Sequence, residues 1–345
     1  MATEKKNDIP KADVITLDYR SNKAMPDWVR EVIETHLAIE AEDAKSAGAL
    51  GFMARALVIA TMPYKDPKAD VFKRENGDFR LRIVAGYEGG IPYGIYPRLL
   101  MSWVATEAVR NQSPVIELGS SLTHFLRDVL DIQTGGGKRG TATRVTEQMK
   151  RLFGSLITAS YSGESKVGQS RGFILKNVLI ADDLEMHEDE INRGLEMADG
   201  ENNRLWTPQQ RHEAGTWQSK VRLSNNFFQE CITRPVPIDL RAYKVLRGSP
   251  LAMDVYTWLT YRMSYTQRKS RPIRWESLMP QFGSNYSSQR GVLDFKKNFL
   301  QALKLVKVVY PQASYEIQPN GLVLLPSRPH VLPDIKTAKQ PRLFE

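Results

Sequence analysis

One cysteine, Cys231, occurs among 345 residues, so the sequence offers neither a disulfide within the chain nor a cysteine cluster for a metal ion. Its five histidines are scattered, and no two of them have the spacing of paired metal ligands. No apolar run is long enough to cross a bilayer, and the opening MATEKKNDIPK lacks the apolar core of a signal peptide. These absences predict a cytoplasmic protein without a membrane segment, disulfide, metal or cofactor.

Acidic residues are too few to balance the basic ones. The chain has 39 Asp and Glu against 48 Lys and Arg, a net charge of +9 and a pI of about 9.4. Nine of the acids lie between Asp182 and Glu201 with a single base, so this segment carries −8 and the rest of the chain +17. The excess predicts a polyanionic partner. The acidic segment has few apolar residues and predicts a linker or an exposed insertion.

Nucleotide-binding motifs are also absent. Gly135, Gly137 and Gly140 match the spacing of a dinucleotide fingerprint, but a predicted helix precedes them where the motif requires a strand. Lys138 is followed by Arg139 and not by Ser or Thr, which excludes a phosphate-binding P-loop. We interpret this glycine run as a turn that enters a DNA-binding helix.

A nuclease or nickase is the enzyme alternative. A rolling-circle nickase would need a histidine pair beside a nucleophilic tyrosine, and this pair is missing from the sequence. The only dense carboxylates are those at 182–201, where the composition favours a solvated linker over a metal site. We therefore predict that the protein is not an enzyme.

The sequence does contain one order of elements twice, between about residues 94 and 181 and again between about 249 and 326. Each copy has a long helix with a tryptophan (Trp103, Trp258), a short proline-led strand, a short helix, a basic amphipathic helix and a hairpin. This is the winged-helix plan. It predicts an α+β fold of two tandem winged-helix domains, each with a helix-turn-helix and a β-hairpin wing.

The chain divides accordingly into five predicted segments. They are an N-terminal arm and helix (1–48), a first winged-helix domain (49–181), an acidic linker or insertion (182–215), a second winged-helix domain (216–332) and a disordered tail (333–345). Within the first domain, the apolar run at 55–62 predicts a strand, and Asn76-Gly77 predicts a hairpin.

The two basic helices each divide into an apolar and a polar face. The apolar stripes, at spacings of three and four, are Val145, Met149, Leu152, Phe153 and Leu156 in the first copy, and Val292, Phe295, Phe299, Leu303 and Val306 in the second. The opposite faces carry Thr143, Arg144, Glu147, Lys150 and Arg151 in the first copy, and Arg290, Lys297 and Lys304 in the second. A recognition helix needs this division, although any surface helix of a basic protein can share it.

These faces supply the predicted DNA-binding residues. Base edges are assigned to Arg144, Glu147, Arg151, Arg290 and Lys297. Phosphates are assigned to Lys138, Arg139, Thr143, Lys150, Lys296 and Lys304, and the first wing loop adds Lys166 and Arg171. The alternative for each hairpin is simple β-architecture without a DNA contact.

The last six residues, Gln340-Pro341-Arg342-Leu343-Phe344-Glu345, resemble the short peptide by which bacterial proteins dock on the sliding clamp of the replicase. Gln340, Leu343 and Phe344 occupy the positions that such a peptide uses. A tail that offers a Leu-Phe anchor to an apolar groove is a known recognition mode. The alternative is a tail without a partner.

Four segments resemble the plasmid-encoded RepA family of replication initiators, namely IPYGIYPRLLMSW (91–103), GTATRVTEQMKRLFGSLI (140–157), WLTYRMSY (258–265) and GLVLLPS (321–327). The resemblance extends over about residues 50–332. It implies two winged-helix domains that bind double-stranded origin repeats (iterons), melt the duplex locally and recruit the host initiator and helicase. It also implies copy control through a homodimer, whereas the monomer activates the origin. Charge and periodicity alone indicate only DNA binding, so a winged-helix transcriptional regulator is the alternative.

Overall fold

The structure is a computed structural model, and the residues that it describes are 31, 34–39, 42–59, 61–76, 79–118, 124–129, 132, 140–164, 171–186, 219–233, 235–283 and 291–331. Helices and antiparallel sheets are mixed along the chain, which confirms the α+β class. None of the described helices is long and apolar enough to span a membrane.

The first half of the chain contains three helices and seven strands among its described residues. The helices are α1 (Arg55–Ile59), α2 (Ile95–Asn111) and α3 (Thr141–Phe153). The strands are β1 (Leu50–Met53), β2 (Val71–Asn76), β3 (Phe79–Val84), β4 (Val115–Glu117), β5 (Leu156–Glu164), β6 (Arg171–Leu179) and β7 (Ala181–Glu185). A π-helical turn, Phe125–Val129, stands where the sequence predicts a short helix.

The described part of the second half contains five helices and five strands. The helices are α4 (Asn225–Thr233), α5 (Leu240–Val245), α6 (Pro250–Met263), α7 (Trp275–Phe282) and α8 (Gly291–Val309). The strands are β8 (Lys220–Leu223), β9 (Val236–Asp239), β10 (Ile273–Arg274), β11 (Tyr315–Gln318) and β12 (Gly321–Leu324). The order α2, β4, π turn, α3, β5, β6 in the first half matches α6, β10, α7, α8, β11, β12 in the second, as the sequence predicts.

Four antiparallel sheets connect these elements, in the strand orders β2-β3-β5-β6, β10-β12-β11, β4-β8-β7 and β1-β9. Two of the sheets join the halves, because β9 pairs with β1 and because β8 lies between β4 and β7. Strand β8, assigned by sequence to the second domain, therefore completes a sheet of the first half. The predicted linker is also wrong at its start, because Asp182–Glu185 belong to β7, whose Leu184 contacts the shared core. Residues 187–215 lie outside the described part of the chain.

The long helices α2 and α6 form the centre of the core. Trp103 on α2 and Trp258 on α6 are almost fully buried, as are most of their helical neighbours. Helix α6 begins cleanly, since the Ser249 hydroxyl accepts a hydrogen bond from the Ala252 N–H and Pro250 occupies the first helical turn. Trp258 then packs edge-on against Phe282 of α7 and Phe299 of α8, and this contact fixes three helices of the second half together.

Two local predictions from the sequence are wrong. The apolar run at 55–62 begins as helix α1 and not as a strand, because an apolar run this short does not distinguish a buried strand from a buried helix. Leu156 is not part of the apolar stripe of α3, since that helix ends at Phe153 and Leu156 begins β5, where it is half-buried. The Asn76-Gly77 hairpin is confirmed by the pairing of β2 with β3.

His330 anchors the last described segment on the second half. Its Nδ1 lies 2.8 Å from the Tyr256 hydroxyl, which accepts a hydrogen bond from the Asp239 N–H, and its ring lies 4.6 Å from that of Tyr310. Because the hydroxyl donates to Nδ1, the neutral imidazole fits this site. Burial lowers the pKa of His330 to about 4, with Arg241 adding to the effect and Asp239 opposing it.

We expect the free energy of unfolding to fall as the pH drops from about 6.5 to about 4. In that window the unfolded chain protonates His330 whereas the folded chain does not, so the stability present above pH 6.5 is lost, in all by roughly 3 kcal/mol. Urea unfolding at several pH values measures the loss. The variant His330→Gln removes this titration and should unfold with a smaller pH dependence; an unchanged dependence would contradict the assignment.

Candidate nucleic-acid interface

Helix α3 exposes its polar face near its start. Thr143 and Arg144 are exposed, whereas Val145, Met149 and Leu152 on the other side are fully buried. The buried residues pack against α2, so the exposed ones point away from the core. Arg144 therefore offers a guanidinium to solvent from a helix whose other face is held rigidly.

The second half of the same polar face is not free. The side chain of Arg151 is 13% exposed, because its guanidinium lies 5.2 Å from the centre of the Tyr93 ring and its Nε donates to Glu147 at 2.8 Å. Glu147 also accepts a longer hydrogen bond from the Tyr87 hydroxyl. The predicted exposure of Arg151 is wrong because these partners, from other elements, cover it. The base-reading role assigned to Glu147 and Arg151 stays a prediction, and Lys150 is half-buried and bonded within the chain.

Helix α8 repeats the arrangement in the second half. Lys297 and Lys304, two turns apart, are exposed, and Phe295 and Phe299 on the opposite face are fully buried. Lys296 differs from them, since its ammonium lies 5.2 Å from the Trp275 ring and 3.4 Å from the Pro319 carbonyl oxygen. It therefore ties the helix to the turn between β11 and β12.

Several predicted site residues cannot be placed. Lys138, Arg139, Lys166, Arg290, Gln340, Leu343 and Phe344 lie outside the described residues. Arg171 begins β6 opposite Glu164 of β5, which confirms the predicted hairpin, but its side chain is outside the description.

A basic row across the four-stranded sheet was missed by the sequence reasoning. Lys73 of β2 stands directly opposite Arg82 of β3, Arg82 opposite Thr158 of β5, and Thr158 opposite Asn177 of β6. Lys73, Arg82 and Asn177 are exposed, as is Arg80 one position along. Like charges directly opposite each other cost stability, so an anionic partner on this face would relieve the repulsion. Alternating basic residues in β2 and β3 are the signal that could have revealed it.

The two halves are joined by a buried ion pair between α2 and α6. The Arg98 guanidinium donates two parallel hydrogen bonds to the Asp254 carboxylate, at 2.8 and 2.7 Å, and both side chains are at most 9% exposed. Arg98 also donates to the carbonyl oxygens of Met62, Pro63 and Gly94. A carboxylate removed from water in this way needs its partner. The pair therefore fixes α2 and α6, and with them the basic helices packed on each.

Arg74 provides a second link. It is buried on the inner side of β2, where it donates to the carbonyl oxygen of Thr61 and to that of Gly283 at the end of α7. Burial lowers the pKa of this guanidinium, an effect partly offset by Tyr64 and Asp254. Because Gly283 closes α7, Arg74 ties the first half to the helix pair of the second.

Catalytic and metal chemistry has no obvious seat in the described residues. Within them, no three His, Cys, Asp or Glu side chains come together in a way that could hold a metal ion. Cys231 is buried, and burial raises the pKa of its thiol, which disfavours the reactive thiolate. The features that do stand out are exposed basic groups on helices and on a sheet.

Comparison with protein families places the chain among plasmid replication initiators. The family described as plasmid encoded RepA protein matches residues 91–200 and again 183–277, which together make up more than half of the sequence. The chain therefore belongs to the plasmid-encoded RepA family. The matched residues include α2, α3, α6 and the hairpin of the first half, whereas α8 lies beyond them.

Two solved structures are similar to the chain. One is the crystal structure of RctB domains 2–3, with 10% identity and a TM-score of 0.41 over 77% of this chain and 93% of that one. The other is a crystal structure of selenomethionine derivatives of domains 2 and 3 of RctB, with 9% identity and a TM-score of 0.43 over 76% of this chain and 86% of that one. None of the curated proteins matches the sequence.

Proposed function

We propose that the protein binds repeated sites in a plasmid origin through two winged-helix modules, with α3 and α8 as their recognition helices. The main support is that Arg144 and Lys297 are exposed on helices that hold equivalent places in the two halves. Each of these helices is followed by an antiparallel hairpin that can serve as a wing. Membership of a replication-initiator family favours this role over a transcriptional regulator.

The geometry suggests how the parts would be used. Each basic helix enters a major groove, and the two grooves lie about one helical turn apart on the same side of the duplex. Arg144 and Lys297 read base edges, while Thr143 and Lys304 contact phosphates. The roles assigned to Lys138, Arg139, Lys166, Arg171 and Arg290 stay predictions.

Footprinting on the DNA that flanks the gene tests the proposal. Regularly spaced protected repeats are expected, because two linked modules impose one spacing on the sites that they occupy. Protection without regular spacing, or none at all, would remove the origin-binding role.

The protein's partners follow from the same proposal. We infer that it acts without catalysis in the cytoplasm, opens the origin locally and recruits the host initiator and helicase, and that a homodimer serves copy control. We also propose that the tail with Gln340, Leu343 and Phe344 binds the sliding clamp, since its residue pattern fits that groove. Clamp affinity that is unchanged after Leu343→Ala plus Phe344→Ala would exclude the last proposal.

Arg144→Ala and Lys297→Ala separate base reading from phosphate contact. Each is expected to weaken binding to a footprinted repeat by about 1–3 kcal/mol and binding to random duplex by much less. Fluorescence anisotropy with both duplexes measures the two losses. Lys65→Ala, which removes an exposed cation outside both helices, is the matched control. If specific and random binding weaken equally, the residue is a phosphate contact and its base-reading role is wrong.

A further inference from the structure

A cationic cleft opens at the end of α6, away from the residues assigned above. Its volume is about 500 Å³, and it is lined by Arg262, Tyr265, Thr266, Gln267, Arg268 and Ser270. The lining contains two guanidinium groups, an aromatic ring, hydroxyls and an amide, but no carboxylate. Such a set suits a ligand that combines an anion with a flat ring.

The aromatic ring of the cleft is both held in place and accessible. Tyr265 is 46% exposed, although the Tyr261 ring meets its edge at a centroid distance of 5.2 Å. The Arg262 guanidinium lies between two rings, 5.6 Å from that of Tyr265 and 5.7 Å from that of Trp258. Its Nε is buried and has no hydrogen-bond partner among the described residues. The cleft therefore presents a ring and a cation whose positions are set before a ligand arrives.

Basic side chains continue beyond the cleft along β10. Arg268, Lys269, Arg271 and Arg274 are all exposed, and of these Lys269 pairs with Glu316 at 2.8 Å. This run extends from the cleft towards the turn between β11 and β12, since Arg274 stands opposite Gly321 beside that turn. A chain of phosphates longer than one nucleotide could therefore follow it.

The cleft is separate from the proposed duplex-binding face. Ser270 in its lining donates its N–H to the Leu324 carbonyl oxygen, at the end of β12 away from the Gly321 turn. Three residues of strand separate these ends, a distance of roughly 10 Å. A ligand in the cleft thus leaves the turn available for another contact.

We propose that this cleft binds a nucleotide unit of an unpaired DNA strand, with the base stacked on Tyr265 and the phosphates on Arg262 and Arg268. In a duplex, stacked neighbours cover both faces of each base, so only an unpaired strand or a free nucleotide can offer a base to this ring. The basic run along β10 favours the strand, because a single nucleotide would not reach it. The inference goes beyond origin binding and does not depend on the duplex face.

Anisotropy of the full chain with a labelled oligothymidylate of about 20 nucleotides tests the proposal, since single-strand sites span roughly 4–16. Tyr265→Ala is expected to weaken binding about 5- to 100-fold through the loss of base stacking. Tyr265→Phe keeps the ring and should bind like the wild type. Arg268→Ala should weaken binding more than Arg328→Ala, which removes an exposed arginine of the same half outside the cleft lining.

A labelled closed hairpin duplex and unlabelled thymidine monophosphate complete the experiment. Tyr265→Ala should leave binding to the duplex unchanged, and the mononucleotide should not compete with the oligonucleotide at similar concentrations. Equal oligonucleotide affinity of Tyr265→Ala and wild type overturns the proposal, as does an equal loss on the duplex. Effective competition by the mononucleotide overturns the strand in favour of a free nucleotide. Irregular origin footprints with a Tyr265-dependent single-strand signal would remove only the duplex proposal.

Discussion

Asp254→Ala is expected to lower the free energy of unfolding by about 3–5 kcal/mol, because it leaves the Arg98 guanidinium buried without its counter-charge. Arg98 would keep its hydrogen bonds to backbone carbonyls but lose the two to carboxylate oxygens. The charge cannot be released by deprotonation, since a guanidinium stays protonated in proteins. Urea denaturation, followed by circular dichroism, measures the difference in the free energy of unfolding.

An exposed ion pair supplies the control. Arg222 and Asp183 join β8 to β7, and both side chains are at least half exposed. Asp183→Asn should therefore cost no more than about 1 kcal/mol. The double variant Arg98→Met plus Asp254→Leu should recover part of the loss, because no unpaired charge remains buried. A loss at Asp254 as small as that at Asp183 would show that this pair does not stabilise the contact between the halves.

The salt dependence of origin binding is the second large effect. Two recognition helices with their hairpins can contact about 6–10 phosphates, so affinity should fall by about 10³–10⁵ between roughly 50 and 200 mM salt. Released counterions cause the fall, and the slope of log affinity against log salt reports how many phosphates are contacted. Anisotropy titrations on a footprinted repeat at several salt concentrations give this slope.

Single variants then assign contacts within that slope. Lys304→Ala should reduce it by about one, since Lys304 is exposed on α8 and is assigned to a phosphate. Lys296→Ala should change it less, because this ammonium is already held by Trp275 and the Pro319 carbonyl. A titration that is flat with salt would contradict the electrostatic part of the proposal.

The predictions from sequence succeed where structure depends on neighbours close in the chain. The apolar spacing predicts the faces of α3 and α8, and Asn76-Gly77 predicts the β2–β3 hairpin. Periodicity fails where two conformations bury the same residues, as in α1. It also fails at Arg151, whose burial comes from Tyr93 on a different element and not from its own helix.

The tertiary structure alone decided how the two copies are joined. The sequence by itself determined the mixed class, the repeated order of elements and the basic faces of two helices, because these depend on side-chain periods of two or about 3.6 residues. Arg98 and Asp254 are 156 positions apart, and each could pass for an ordinary charge on its helix. The cleft at Tyr265 and the basic row across the sheet likewise depend on which strands become neighbours. Such pairings follow from long-range packing, which no local pattern encodes.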